Sequence, residues 1–494
     1  MKIYRLLQAF FDHAVEKDFA WLAPTWIVML FLGGAILWGQ FFNWGNIPLD
    51  FHDWAEITAP RLAVVRDAMI KGVLPLHAGG TYGLRGITDR YLSIPDVLFT
   101  PQLILLRFLE VGPFILANQW IMFAIGTWGL LRIRRRFSIS LAIYTIIFLL
   151  FNFNGHLLAH QAVGHENYVG YFLYPWFVLL LFDMLDGDHS WAWVAKISLV
   201  QLGFYLQGSY HHWVWNLLWL GMAGVISYRH FFAVLKSSVF SVLLSMVRIL
   251  PSALLYEGLS KDFYGGYSVL HDRFTSMVSK KLPQDSLPFM NFYSNLGYWE
   301  FDLYIGYLGL LFLVAGLGLW CWGRLRRRDW STSTLGKAFL PVALPCLVFI
   351  VFAINKNFSF IKDLPIPLLN GERVTSRMVI LPLVMGIIMA GIALNQWLVE
   401  KRRPWSWIIG LPVVAWLAVD LTRNTLYWQV TQVFPVFPLT PVDVTTKLVA
   451  NHADPSYIGM LVAGFTVSIL ACVYLWVRIR SEQRELRESQ KDKS

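Results

Sequence analysis

Three carboxylates and one imidazole crowd the stretch Leu49-Asp50-Phe51-His52-Asp53-Trp54-Ala55-Glu56-Ile57-Thr58. Phe51, Trp54 and Ile57 surround Asp50 and Asp53 with apolar surface. A partly desolvated carboxylate is a stronger base than a solvated one, and such a group can take the proton of an attacking hydroxyl. A plainer role competes with this. Asp is a favoured N-cap, and the pattern from Asp53 to Lys71 predicts a helix that these acids could simply cap.

A second polar segment, Gly155-His156-Leu157-Leu158-Ala159-His160-Gln161-Ala162-Val163-Gly164-His165-Glu166-Asn167, holds three histidines and an acid. The spacing His156-x-x-x-His160 puts two imidazoles on one helical face, which permits metal binding. Lining of a polar cavity is the simpler reading. Tyr210-His211-His212-Trp213 adds imidazole and aromatic surface suited to sugar stacking, although aromatic belts at membrane interfaces have the same composition. Arg248, Arg373 and Arg377 lie within or beside apolar runs, where an unpartnered guanidinium is costly; snorkelling to the interface is their alternative. Tyr264-Gly265-Gly266-Tyr267 reads as a loop turn able to serve as a lid.

These residues need a scaffold, and the composition names its solvent. The 494 residues are 56% hydrophobic, 16% aromatic and only 15% charged, with a mean hydropathy of +0.51. A soluble chain carries about 25% charged residues, and many runs here approach the ~20 residues that a helix needs to cross a bilayer. The sequence therefore predicts an all-α, polytopic membrane protein of about twelve spans, near 24–44, 113–131, 139–154, 168–184, 191–207, 212–228, 237–256, 304–323, 337–354, 375–397, 405–422 and 458–478. Residues 1–23 read as an interfacial amphipathic helix, 24–478 as the transmembrane domain and 479–494 as a charged tail. The net charge of +10 implies no nucleic acid, because Lys and Arg gather in short loops such as Arg132–Arg136, Arg324–Arg328 and Lys401–Arg403. That is the signature of cytoplasmic loops. With both termini cytoplasmic, the long polar segments 45–112, 257–303 and 423–457 all fall outside. Cys321, Cys346 and Cys472 fall inside spans, so no disulfide framework is expected.

Asp50-x-x-x-Trp54-Ala55-Glu56-Ile57, the helix after it with Arg61 and Arg66, and Gly72-Val73-Leu74-Pro75 together resemble the first external loop of GT-C glycosyltransferases. That superfamily includes bacterial lipid A aminoarabinose transferases and protein O-mannosyltransferases. Tyr304-Ile305-Gly306-Tyr307-Leu308-Gly309-Leu310 and Arg373-Val374-Thr375-Ser376-Arg377-Met378 are similar to segments of uncharacterised bacterial members. The resemblance implies a GT-C-like helical bundle with amphipathic helices in its first external loop. It also implies inverting transfer of a sugar from a polyprenyl-phosphate donor to a lipid, glycan or protein acceptor. Matching Ala-Glu-Ile puts the family's catalytic Asp on Asp50. Phe51 stands where the family has a second acid, so Asp53 is the substitute, and a paired-carboxylate role for a divalent ion (Mg or Mn, with Asp50, Asp53 and Glu166 as candidates) departs from the pattern. Glu166 matches the acid common in the second external loop. The donor phosphate would fall to Arg377, with Arg373 and Arg248 as alternatives, and the acceptor or sugar to His165, His211 and Tyr267.

The implied setting is a bacterial inner membrane with the site on its periplasmic face, among membrane lipids. Rival readings are a multi-pass transporter or flippase and a polysaccharide polymerase or ligase of the cell envelope. A transporter should show internal repeats and helices broken at the midplane, whereas here the polar residues gather toward one face. With only Arg478 to Ser494 after the last span, acceptor recognition is expected from the external loops.

Overall fold

The computed structural model describes residues 2–84, 88–253, 265–267, 269–280, 297–326, 333–354, 372–401, 406–440 and 448–491. Tyr264, Arg327, Arg328, Arg402 and Arg403, like parts of the long polar segments, lie outside the described residues. Within them the protein is helical, and extended pairing is confined to isolated bridges such as Phe51–Leu439 and Ala78–Val449.

Among the described residues, seven helical stretches are long and apolar enough to cross a membrane: Leu22–Phe41, Val111–Phe137, Leu141–Ala162, Glu166–Leu185, Gly306–Leu325, Thr375–Leu398 and Pro455–Gln490. Tyr210–Ile226 and Tyr228–Leu244 qualify only as a pair bent by 118°. The remaining expected spans are helices of a different kind. Trp191–Leu206 and Phe339–Phe352 have 16 and 14 residues, short of the ~20 that a crossing needs. The expected span 237–256 divides at Ser245 into Phe231–Leu244 and Met246–Ala253, and Ser406–Tyr427 carries Asp420 and Arg423.

The helices are labelled α1 (Lys2–Phe11), α2 (Leu22–Phe41), α3 (Ala59–Lys71), α4 (Val111–Phe137), α5 (Leu141–Asn152), α6 (Gly155–Ala162), α7 (Tyr174–Leu185), α8 (Trp191–Leu206), α9 (Tyr210–Ile226), α10 (Phe231–Leu244), α11 (Met246–Ala253), α12 (Gly306–Arg326), α13 (Phe339–Phe352), α14 (Ile380–Lys401), α15 (Ser406–Tyr427) and α16 (Pro455–Lys491). The centre is α5 and α6, wholly buried, with α7 and α14 nearly so, while α2, α12 and α16 keep most of their surface outward. Without a hydrophobic drive between helices in lipid, small residues set how close they come. A side chain at Gly316 of α12 would strike Ala390 of α14, one at Gly391 of α14 would strike Ile147 of α5, and one at Gly464 of α16 would strike the Met246 backbone. At the N-terminus, α1 buries Ala9 and Phe10 against Leu22, Leu141 and Ala142.

Basic residues gather at one end of the bundle. Arg134 pairs with the buried Glu16, Arg136 with Asp183 and Asp186 at the far end of α7, and Lys337 with Asp186. At the opposite end α6 begins from a buried acid. Asp302 accepts hydrogen bonds from the Tyr304 amide (2.7 Å) and the Trp428 indole (2.9 Å). Gly155 lets it approach, since a side chain there would fill the space of the Asp302 carboxylate. Burial pushes the Asp302 carboxyl up to about 7, with those two donors only partly offsetting it. Folding therefore binds a proton between the ordinary carboxylate value and about 7, and stability falls as pH rises through that window. Asp302→Asn removes the titration. Whatever its absolute stability, its melting temperature in detergent micelles should fall less than that of the wild type between about pH 5 and pH 8; parallel curves would contradict the assignment.

Candidate functional site

The acidic stretch docks by its apolar residues. Phe51 and Trp54 are fully buried; the Trp54 indole donates to the Ala162 carbonyl (2.9 Å) and the Thr58 hydroxyl to the Gly164 carbonyl (2.6 Å). Gly164 is required here. Its φ is +101°, and a side chain would collide with the Trp54 amide. Residues 51–58 are thus pressed onto the turn after α6, and Asp53 meets His165: Oδ2 lies 2.7 Å from Nε2. Asp53 stands at the start of the turn Trp54–Thr58, yet its side chain caps no amide. Asp50 lies off to the side, with its carbonyl accepting from Thr440 (2.7 Å).

From Asp53 a line of polar groups runs inward. Nδ1 of His165 is 2.7 Å from Nδ1 of His160, whose Nε2 is 3.9 Å from Glu300. Glu300 holds Arg377 by two bonds, 2.6 Å from Nε and 2.5 Å from Nη2. If His165 donates Nε2–H to Asp53, its Nδ1 accepts from His160, and His160 keeps a bare Nε2, which has no hydrogen-bond partner and is buried. The Tyr168 ring stacks on His160 at 4.0 Å and lies 6.0 Å from the Arg377 guanidinium. Burial opposes the charge on Asp53, but the His165 hydrogen bond, with His52 and Arg377 nearby, holds its carboxyl down at about 2, so the raised basicity expected from its apolar neighbours is not found. Burial likewise opposes the charge on Glu300, and Arg377 outweighs it, keeping that carboxyl below its ordinary value.

Asp53, His165, Tyr168 and Arg377 border a cavity of about 200 Å³ between the turn before α3, the turns that open into α7 and α14, and the start of α9, with His160 and Glu300 outside its lining. Of the expected residues, Asp53, Glu166, His165, His211, Arg373 and Arg377 line it; Asp50, Arg248 and Tyr267 do not. Arg248 is wholly buried and donates to the carbonyls of Leu92 (2.8 Å) and Ile94 (2.7 Å), so it holds the loop that brings Tyr91 and Asp96 to the cavity. Tyr267 is buried, donating to the Phe301 carbonyl at 2.8 Å.

Other residues are added by the structure. Arg61 donates to the Gly83 carbonyl (2.6 Å) and lies 3.4 Å from Asp96, leaving Nη2 buried without a partner among the described residues, as is Oε1 of Glu166. Buried polar atoms left unsatisfied on a cavity wall are candidates for contact with a ligand. Glu372 takes His211 at 2.5 Å and the Trp215 indole at 3.0 Å. Glu300 and Glu372 each sit directly before apolar runs, and Glu372 neighbours Arg373; that adjacency was their only signal in the sequence.

A divalent ion held by Asp50, Asp53 and Glu166 does not fit this arrangement. Asp53 is engaged by His165, and Asp50 lies outside the cavity. His160, His165 and Glu300 offer ligand atoms within 4.8 Å of one another, but Glu300 gives both carboxylate oxygens to Arg377, whose charge opposes a cation there.

No family model and no curated protein matches the chain. Among solved structures, the chain is similar to the arabinofuranosyltransferase AftD from Mycobacteria, at 12% identity over 83% of the chain with a TM-score of 0.47. The chain spans 27% of that protein's length.

The Arg377–Glu300 pair generates a stability test. Removing one member of a buried pair strands the other and costs about 3–5 kcal/mol. Arg377→Met should therefore lower the melting temperature sharply, and Arg377→Met with Glu300→Gln should recover much of the loss. A double variant that melts no higher than the single one would show that the pair is not what holds these elements together.

Proposed function

We propose that the protein is a membrane glycosyltransferase of the GT-C type, moving a sugar from a polyprenyl-phosphate donor to a hydroxyl of a lipid, glycan or protein acceptor, with inversion. One observation carries this reading: a charged cavity and an apolar groove share one helix. Tyr210 and His211 at the start of α9 line the cavity. Beginning two residues later, Trp213, Leu217, Gly221 and Val225 line a groove of about 800 Å³ completed by Leu344 and Val348 of α13. A polar head beside a long apolar channel matches an isoprenoid phosphate better than a free nucleotide sugar.

In this reading the acceptor oxygen attacks the anomeric carbon while the bond from that carbon to the phosphate oxygen breaks. The electron pair leaves on the phosphate. Arg377, Arg373 and Arg61 offset the charge that develops there, the type of stabilisation on which such transfers depend most. The acceptor proton passes to Asp53, which His165 keeps oriented and ionised. Asp53 is preferred to Asp50 because it borders the cavity, and Glu166 with His211 is suited to orient acceptor or sugar hydroxyls. The steps run through side chains alone. The basic end of the bundle is read as cytoplasmic, so the cavity at the other end works on the external face of a bacterial inner membrane.

The test is transfer from a panel of synthetic polyprenyl-phosphate sugars by the reconstituted protein. Asp53→Asn should lower kcat by at least about 100-fold with normal membrane insertion, and Asp50→Asn should cost far less. The reverse order would return the base to Asp50, and no transfer from any such donor would sink the reading. Gly221→Phe probes the groove. A side chain at Gly221 meets nothing within 4 Å, so the variant should fold, raise KM for the long-chain donor and leave KM for a short-chain analogue unchanged.

A further inference from the structure

Away from the cavity, two segments distant in sequence are laced together. The Gly79 amide donates to the Leu448 carbonyl (2.8 Å) and the Ala450 amide to the His77 carbonyl (2.9 Å). The Asn451 side chain accepts from the His77 amide at 3.0 Å, and Ala78 donates to Asp89 within the first segment (2.8 Å). Backbone pairing accounts for the approach of the strands but not for the side chains that it brings together.

His77 is completely buried, and among the described residues neither of its ring nitrogens makes a hydrogen bond, although Asp454 stands 3.5 Å from Nε2. A buried polar atom left unpaired costs about 1–3 kcal/mol, and a ligand on one of these nitrogens would remove that cost. Its ring lies 3.9 Å from that of His452, and Nε2 of His452 is 2.7 Å from Oδ2 of Asp89. One nitrogen of each ring and one Asp89 oxygen lie within 4.8 Å of one another.

We propose that His77, Asp89 and His452 form a metal site for a Zn(II)-type ion that clamps His77 and Asp89 of the first polar segment to residues 448–454. Two imidazoles and one carboxylate select zinc and its neighbours over magnesium or calcium, which prefer all-oxygen shells. Ligand atoms around a tetrahedral zinc stand roughly 3.4 Å apart at ~2.0–2.2 Å bonds. The side chains of His452 and Asp89, 51% and 33% exposed, have room to adopt that spacing around the fixed His77. Arg90 does not oppose the ion, because both of its bonds to Asp454 (2.6 and 3.1 Å) neutralise it. Asp454 itself stands 3.5 Å from Nε2 of His77, placed to orient that ring. The site differs from the His160–His165–Glu300 group, where Arg377 takes both carboxylate oxygens of Glu300 and its charge opposes a cation. The clamp would steady the segment that leads into Tyr91 and Asp96 on the cavity wall, but it does not depend on what the cavity does.

The experiment uses the full chain in detergent, stripped with a chelator and titrated with Zn(II) against a chromophoric competitor. The wild type should take up one tight equivalent that excess Mg(II) does not displace. His452→Ala and Asp89→Asn alter exposed side chains and should fold; each should weaken zinc binding by at least about tenfold. His165→Ala should leave that equivalent unchanged. The proposal is overturned if the wild type binds no zinc, if His452→Ala binds it as tightly as the wild type, or if His165→Ala abolishes the equivalent.

Discussion

The architecture around the cavity depends on burying a guanidinium. Arg377 stands at the start of a strongly apolar stretch, Thr375–Leu398, and such a charge is tolerated in a low-dielectric interior only with a partner and satisfied hydrogen bonds. Glu300 supplies both, through two parallel bonds. Because Glu300 lies before α12 and Arg377 before α14, the pair fixes the relative height of two helices that also pack along their length. His160 is then held between Glu300 and His165, and Asp53 at the end of the line. Each group is positioned by the charge requirement of the one before it.

The two ends of the bundle solve the problem of charge differently. At the end where Arg134, Arg136 and Lys337 emerge, each cation finds an acid, and most of these pairs keep some contact with solvent. At the cavity end, the pairs Arg377–Glu300 and His211–Glu372 are almost wholly enclosed, while Glu166 and Arg61 keep atoms without partners. The contrast is one of enclosure, since Nε of Arg134 at the first end also lacks a partner among the described residues.

Much of this was legible in the sequence. Runs of apolar residues named the solvent and the helical class, because a backbone in lipid must bond to itself. The amphipathic pattern of Lys2–Phe11 and the helix ending at Lys71 before Gly72 were readable too, the latter because Gly72 takes the left-handed turn that ends it. What hydropathy could not show was length in space. The window 237–256 reads as one span but divides at Ser245, and 337–354 carries a helix of only 14 residues. The site was half legible. Of the residues that chemical type singled out, Asp53, His165, Glu166 and Arg377 line the cavity. Asp50, which the Ala-Glu-Ile match favoured, does not, a difference set by how the burial of Phe51 and Trp54 turns this segment. Arg248 looked like an anion ligand and instead holds carbonyls of a loop more than 150 residues earlier, a partnership that no local pattern encodes.

The seam between residues 77–79 and 448–450, like the bridge from Phe51 to Leu439, also bears on how the protein is made. At ~5–20 residues per second, the partner of Phe51 is synthesised tens of seconds after Phe51 itself. During that interval Phe51 lacks Phe434 and Phe437 and residues 77–79 lack their partner segment, while Trp54 already has Phe42 and Ala162 to pack against. The cavity wall ends at Arg377, so the seam and the cover over Phe51 are late additions to a site whose lining residues have all been made.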